Sequence, residues 1–213
     1  MSPSPSRVAT QATRGVPPST AGDLDAADLP GSAALGRDWE PFADPGGHEA
    51  GFRGNGTWTR ERDADTVLLE VTPIGCAAAV YVPSYPKPVR ALEGTYRHPS
   101  GGGAVTLLLQ FAAPAHARRF FAGHRAVVTG CRAPDNLPDH APTRLDIVPR
   151  VDENDLLVDV RREYGRGASP LRWTEVVRRS GPYVGMLIVG LPESESQPTP
   201  GQLTATMRGS MPH

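Results

Sequence analysis

Four strand-like stretches follow one another between residues 143 and 191, and only a few residues connect each to the next. The connections are built from Asp, Asn, Gly, Ser and Pro, which are turn residues. Parallel neighbours need a crossover of about a dozen residues or more, so connections this short predict antiparallel strands. The predicted strands are Thr143 to Val148, Leu156 to Tyr164, Leu171 to Arg179 and Tyr183 to Leu191.

The pattern of hydrophobic residues predicts which of these strands is central in the sheet and which face is polar. The last of them, YVGMLIVGL, is apolar at nearly every position, which predicts a central strand covered on both faces. The second alternates, so one face of the sheet should pack against the core and the other should be partly polar. Its apolar positions are Leu156, Val158 and Val160, and its polar positions are Asp159, Arg161 and Glu163.

A hairpin and a helix precede this group of strands. Val89 to His98 and Ala104 to Phe111 are strand-like and flank Pro-Ser-Gly-Gly-Gly, which predicts a long hairpin. Residues 113–129 then change to helical spacing and end before glycine. One face of that helix should pack on the sheet. That face holds Ala117, Phe120, Phe121, His124 and Val128.

These elements predict an α+β domain with an antiparallel sheet of about five to six strands packed by one main helix. Residues 1–22 are Ser, Pro, Thr and Ala without periodicity, which predicts a disordered N-terminal segment. The domain should span 23–191, and 192–213 should be a C-terminal tail with at best a short helix over 203–208. The stretch Thr66 to Thr72 fits a strand or a short helix equally well.

Composition argues against several classes of function. The formal net charge is −1 and the basic residues are scattered, so a nucleic-acid partner is not expected. No apolar run approaches the roughly 18 residues of a membrane span, so we expect no integral membrane segment. We also expect a monomer that needs no cofactor.

Known catalytic motifs are absent from the sequence. There is no Gly-x-Ser-x-Gly elbow, no phosphate-binding glycine loop and no histidine pair at metal-ligand spacing. His116 and His124 are interpreted as a surface residue and a packing residue, and no metal site is expected.

Carboxylates and arginines on neighbouring strands are the remaining candidates for a site. Asp159 and Glu175 could approach each other as an acid–base pair of a small hydrolase or lyase. With Arg161 and Arg179 they could instead form a ladder of solvated charge pairs. The same four residues on a polar sheet face would also suit a small polar or anionic ligand.

The two cysteines, Cys76 and Cys131, both fall at the ends of predicted elements. A disulfide between them would fix the helix to the sheet, whereas two free thiols would suit a cytoplasmic protein. Met1 to Gly22 lacks the apolar region of a secretory signal. The expected location is therefore the cell envelope if a leader precedes this start, and the cytoplasm otherwise.

The order of these features resembles the PknH-like extracellular sensor domain family of actinobacterial receptor kinases and lipoproteins. The resemblance covers roughly Asp23 to Leu191. Family members often carry four cysteines, whereas this chain has two. The matching features are Asp28-Leu29-Pro30 before Trp39, Ile74-Gly75-Cys76, the strand pair up to Phe111, the helix AHARRFFAGHRAVVTGC and the final strands through Val189.

This resemblance implies an antiparallel sheet flanked by helices around a cleft that binds an extracellular ligand, with no enzymatic activity. The leading hypothesis is therefore a non-enzymatic ligand-binding or sensor-like domain of the cell envelope. The alternatives are a small acid–base hydrolase or lyase that uses Asp159 and Glu175, and a cytoplasmic protein-interaction module with free thiols.

The cysteine pair gives the first testable prediction. If Cys76 and Cys131 are joined, reduction of the protein from its native host should raise its intact mass by roughly 2 Da, because a disulfide lacks two hydrogens. Alkylation without reduction should then leave the mass unchanged. Two thiols that alkylate without reduction would contradict both the disulfide and export.

Overall fold

The computed structural model describes residues 17–43, 56–70, 85–129, 142–151, 153–164, 171–192, 195–196 and 198–212. Four α-helices lie within these ranges: α1 (Ser32–Leu35), α2 (Val67–Glu70), α3 (Pro114–Thr129) and α4 (Pro200–Ser210). The strands are β1 (Glu40–Pro41), β2 (Thr59–Glu61), β3 (Arg90–Arg97), β4 (Gly103–Gln110), β5 (Pro142–Val151), β6 (Asp155–Tyr164), β7 (Leu171–Ser180) and β8 (Tyr183–Pro192).

All eight strands belong to one antiparallel sheet, so the predicted α+β class is confirmed. Seven of them follow the order β1-β3-β4-β8-β7-β6-β5, and β2 also pairs with β3. The six long strands, β3 to β8, are the predicted ones. Strands β1 and β2 are only two and three residues long, too short for alternation to reveal them.

Strand β8 occupies the middle of the long strands, between β4 and β7. It joins the β3–β4 hairpin to the β5–β6–β7 meander. Residues 184–187 and 189–191 are buried, as the apolar pattern of this strand predicted. A strand that is apolar on both sides needs cover on both faces of the sheet, and the structure supplies two separate cores.

Helix α3 covers the first face. The residues predicted to face the sheet are its buried ones, and they meet side chains from β4, β6, β7 and β8. Helix α2 adds Val67 to the same core. Of the two readings open for residues 66–72, the structure shows a helix at 67–70, and residues 71–72 lie outside the described ranges. The members of this core that come from α3 and β8 are Ala117, Phe120, Phe121, Val128, Val184 and Met186.

The second face is covered by the N-terminal part of the domain together with α4. Ala21, Leu24 and Leu35 are buried there, and Leu203 and Met207 reach the same core from α4. The sequence predicts disorder up to residue 22 and at best a short helix over 203–208. The structure instead buries Ala21, which pairs with Leu24, and extends the helix to 200–210.

The pattern of β6 predicts that the second face of the sheet is partly polar. In the structure, only a small part of that face is polar. Asp159 lies on that face, but so do the buried Leu157 and Val176, and further along the sheet Leu187 and Val189. The alternation of polar and apolar residues in β6, next to the edge of the sheet, indicates only the local environment of that strand. The apolar residues of β8 require cover on both faces of the sheet.

Candidate functional site

The structure separates the two carboxylates proposed as an acid–base pair. In the register of β6 and β7, Asp159 lies opposite Thr174, and Glu175 lies opposite Val158. Directly opposed residues share a face, and successive residues alternate. Asp159 and Glu175 therefore project from opposite faces of the sheet and do not form a pair.

Asp159 pairs with an arginine of the adjacent strand. Arg172 Nε donates to Oδ1 of Asp159 at 2.9 Å, and Nη2 donates to Oδ2 at 2.5 Å. Side-chain exposure is 42% for Arg172 and 27% for Asp159. This bidentate contact is a cross-strand ion pair at a partly exposed position, and its arginine is not one of the two, Arg161 and Arg179, that the charge-ladder prediction named.

The other predicted site residues do not join Asp159. Arg179 donates through Nη2 to Oδ1 of Asn154, and its backbone N–H donates to the Asn154 carbonyl at 2.9 Å. The backbone of Arg161 lies opposite Arg172, but its side chain is outside the described part of the structure. Cys76 and Cys131 also lie outside the described residues, so their pairing stays a prediction.

Glu175 forms a buried pair with the helix. Its Oε1 lies 3.1 Å from Nε2 of His124, and the two side chains are only 2% and 1% exposed. The imidazole stacks on the Phe120 ring at a centroid distance of 6.1 Å. The contact links α3 to β7 inside an apolar core, where an unpaired polar group would be costly.

Part of this contact was visible in the sequence. The helical spacing predicts His124 on the packing face of the helix, whereas the placement of Glu175 on a polar sheet face is wrong. Glu175 alternates in step with Trp173 and Val177, which pack in the α3 core, and that alternation was the available signal.

A pocket of about 630 Å³ opens on the other side of the sheet, beside α1 and α4. Three parts of the chain form it: α1 with the turn after it, the β3–β4 hairpin, and the segment from residue 195 into α4. Its polar and aromatic lining residues include Arg37, Asp38, Trp39, His98, Glu195, Gln202 and Thr206.

Two hydrogen bonds between distant residues hold the wall made by α1. The hydroxyl of Tyr96 donates to the carbonyl of Pro30 at 2.6 Å, which fixes the chain just before α1 to strand β3. Burial raises the pKa of Tyr96, so the hydroxyl keeps its proton and remains a donor. The hydroxyl of Thr206 donates to the carbonyl of Ala34 at 2.9 Å and joins α4 to α1.

Helix α4 begins at the pocket with a capping box. The Thr199 hydroxyl accepts the backbone N–H of Gln202 at 3.2 Å, and the Gln202 side chain accepts the Thr199 N–H at 2.7 Å. Reciprocal caps of this kind fix the start of a helix. The buried Leu203 and Met207, one turn apart, then hold α4 against the second core.

His98 presents one ring nitrogen to its own turn. Its Nδ1 lies 2.7 Å from Oγ of Ser100 and accepts the Ser100 backbone N–H at 3.3 Å. Because that nitrogen accepts a backbone N–H, the ring proton is on Nε2, which can donate to a ligand. The imidazole packs against Trp39 with ring centroids 5.3 Å apart.

The pocket carries charged groups of both signs. Arg37 and His98 can donate hydrogen bonds, whereas the carboxylates of Asp38 and Glu195 can accept them. Asp38 has a φ angle of 68°, a left-handed conformation that few residues other than glycine adopt. A small molecule with both acceptor and donor groups would find partners for each in this pocket.

Sequence reasoning missed this pocket. Arg37, Asp38, His98 and Glu195 all lie in turns or loops, and no motif links them. They come together only because the N-terminal part of the domain and α4 cover the same face of the sheet. The clearest sequence signal for this part of the fold was that β8 is apolar on both sides, which requires elements that cover the second face of the sheet.

Two further kinds of feature are absent from the described part of the chain. No group of three or more His, Cys, Asp or Glu residues there is placed to hold a metal ion. None of the helices described above is long and apolar enough to cross a membrane.

The fold defines an α+β domain whose antiparallel sheet is covered by helices on both faces. It is similar to the crystal structure of the extracellular domain of PknH from Mycobacterium tuberculosis, with a TM-score of 0.51. The match covers 86% of this chain and 91% of that chain at 9% sequence identity. No family model matches the chain, and no curated protein does. At this identity the likeness shows the fold alone, so membership of the PknH-like family stays a prediction.

The buried and exposed carboxylates should differ in their effect on stability. We expect Glu175→Ala to lower the free energy of unfolding by about 3 kcal/mol, because it leaves His124 buried without its partner. Asp159→Ala breaks a partly exposed ion pair and should cost about 1 kcal/mol or less. Urea denaturation of both variants measures the difference, and equal losses would show that Glu175 is not buried against His124.

Proposed function

We propose that this chain is a ligand-binding, sensor-like domain of the cell envelope, and that it binds its ligand without transforming it. The ligand class we propose is a small polar molecule that carries an anionic group and at least one hydrogen-bond donor. The binding site is the pocket between α1, the β3–β4 hairpin and α4.

The observation that carries this proposal is the pocket itself. Its volume of about 630 Å³ falls within the roughly 300–1,000 Å³ typical of sites for small ligands. Its walls are fixed by the Tyr96–Pro30 and Thr206–Ala34 hydrogen bonds, which join parts of the chain that are far apart in sequence. A pocket with fixed walls loses little conformational entropy when it binds a ligand.

Two further observations support a binding role in the envelope. The similar solved structure is an extracellular domain, and the similarity extends over most of both chains. The two carboxylates that could have served acid–base chemistry lie on opposite faces of the sheet, where each has a structural partner. The residues of the pocket are therefore the better basis for a function.

A screen with defined small molecules tests the proposal. Amino acids, dicarboxylates and sugar phosphates would be added at about 1 mM, and the shift in melting temperature would be recorded. Any compound that stabilises the protein would then be titrated by calorimetry against wild type and Ala205→Trp. Ala205 is an exposed residue that lines the pocket, so an indole there should occupy the space of a ligand.

The matched control is Ala122→Trp, the same substitution at an exposed position of α3, away from the pocket. We expect Ala205→Trp to weaken binding at least about tenfold and Ala122→Trp to leave it unchanged. A compound that binds all three proteins equally would place the site elsewhere. If no compound binds wild type, the pocket is not a site for this class of ligand.

A further inference from the structure

The outer face of α3 carries positive charge and no negative charge. The buried residues of the helix point to the sheet, and the opposite side presents Arg118 and Arg119 exposed and Arg125 partly exposed. Residues 114–129 contain no Asp or Glu. The alanines between these arginines, Ala115, Ala122 and Ala126, are also exposed.

Seven cations elsewhere in the described ranges form ion pairs with carboxylates. Two arginines of β2 and its flank share Glu93, and two from β7 and α4 share Asp155. None of the ion pairs within the described ranges includes an arginine of α3. The paired cations are Arg60, Arg62, Lys87, Arg97, Arg172, Arg178 and Arg208.

The α3 arginines form an open array on the helix surface rather than a pocket. Positions 118 and 125 are seven residues apart and fall on the same side of the helix, about two turns from each other. Arg119 lies further around the helix, on its solvent-facing side, between small alanine side chains. Such a surface can approach negative charge closely, because the exposed residues next to these arginines are small alanines.

We propose that α3 docks the domain on an anionic lipid surface through Arg118, Arg119 and Arg125. Charge complementarity selects an anionic partner, and the guanidinium groups can bind phosphate oxygens with two hydrogen bonds each. An open array of several cations matches a surface of many phosphate headgroups better than a single bound anion. This surface is on the opposite face of the sheet from the pocket, so a docked domain would keep the pocket accessible.

The expected strength of this docking is modest. An arginine close to an anionic membrane raises partitioning by about fivefold, so three of them should raise it on the order of a hundredfold. The attraction is screened by salt, with a Debye length of about 10 Å at 0.1 M and about 3 Å at 1 M. Binding should therefore be clear at low salt and lost at high salt.

Vesicle co-sedimentation of the full chain tests the proposal. The probes are vesicles of phosphatidylcholine alone and vesicles with roughly one-third phosphatidylglycerol, at low and high salt. The test variant is Arg118→Gln, Arg119→Gln and Arg125→Gln together. The control, Arg90→Gln with Arg97→Gln and Arg208→Gln, changes the net charge equally at exposed positions outside α3. Circular dichroism verifies that both variants fold.

We expect wild type and the control to bind the anionic vesicles only, in a salt-dependent way, and the α3 variant to bind them on the order of a hundredfold less. Equal losses in both variants would show that net charge alone is responsible and would overturn the proposal. So would failure of wild type to bind, or equal competition by soluble polyglutamate, which would indicate an acidic polymer as the partner. The result does not depend on the pocket, so it separates this proposal from the proposed function.

Discussion

The burial of β8 on both faces is the constraint on which the rest of the structure depends. Its residues are apolar on both sides and it pairs with β4 and β7, so it joins the two halves of the sheet. A strand of this kind is stable only when each face of the sheet has its own cover. Helix α3 covers one face, and the N-terminal part of the domain together with α4 covers the other.

The pocket follows from the way in which the second cover is assembled. Helices α1 and α4 come from opposite ends of the described chain and are joined by the Thr206–Ala34 hydrogen bond. The pocket lies where these two elements meet over the sheet, and charged and aromatic side chains line it. On the other face, α3 is one continuous helix whose outer side faces solvent. The two faces of the sheet thus support two different proposals, a ligand pocket and a docking surface.

Much of the fold could be predicted from the sequence, and the site could not. The six long strands and α3 show a clear period or a continuous apolar run and end at turn residues, so local patterns were sufficient to find them. The placement of Asp159 and Glu175 depends on the register of β6 and β7, and a shift of one residue between the two strands would put both carboxylates on the same face. The residues of the pocket come from three separate parts of the chain, and no local pattern reports such a meeting.

Hydrogen exchange of the native protein is the most direct test of the central claim, that the pocket is a fixed part of one cooperative core. The amides around Leu203 and Met207 in α4 would be compared with those of β8, peptide by peptide. We expect the two sets to exchange with similar protection, because α4 buries both side chains in the core that β8 anchors. Exchange in α4 that is orders of magnitude faster than in β8 would show that the pocket wall detaches on its own, which would contradict a preformed site.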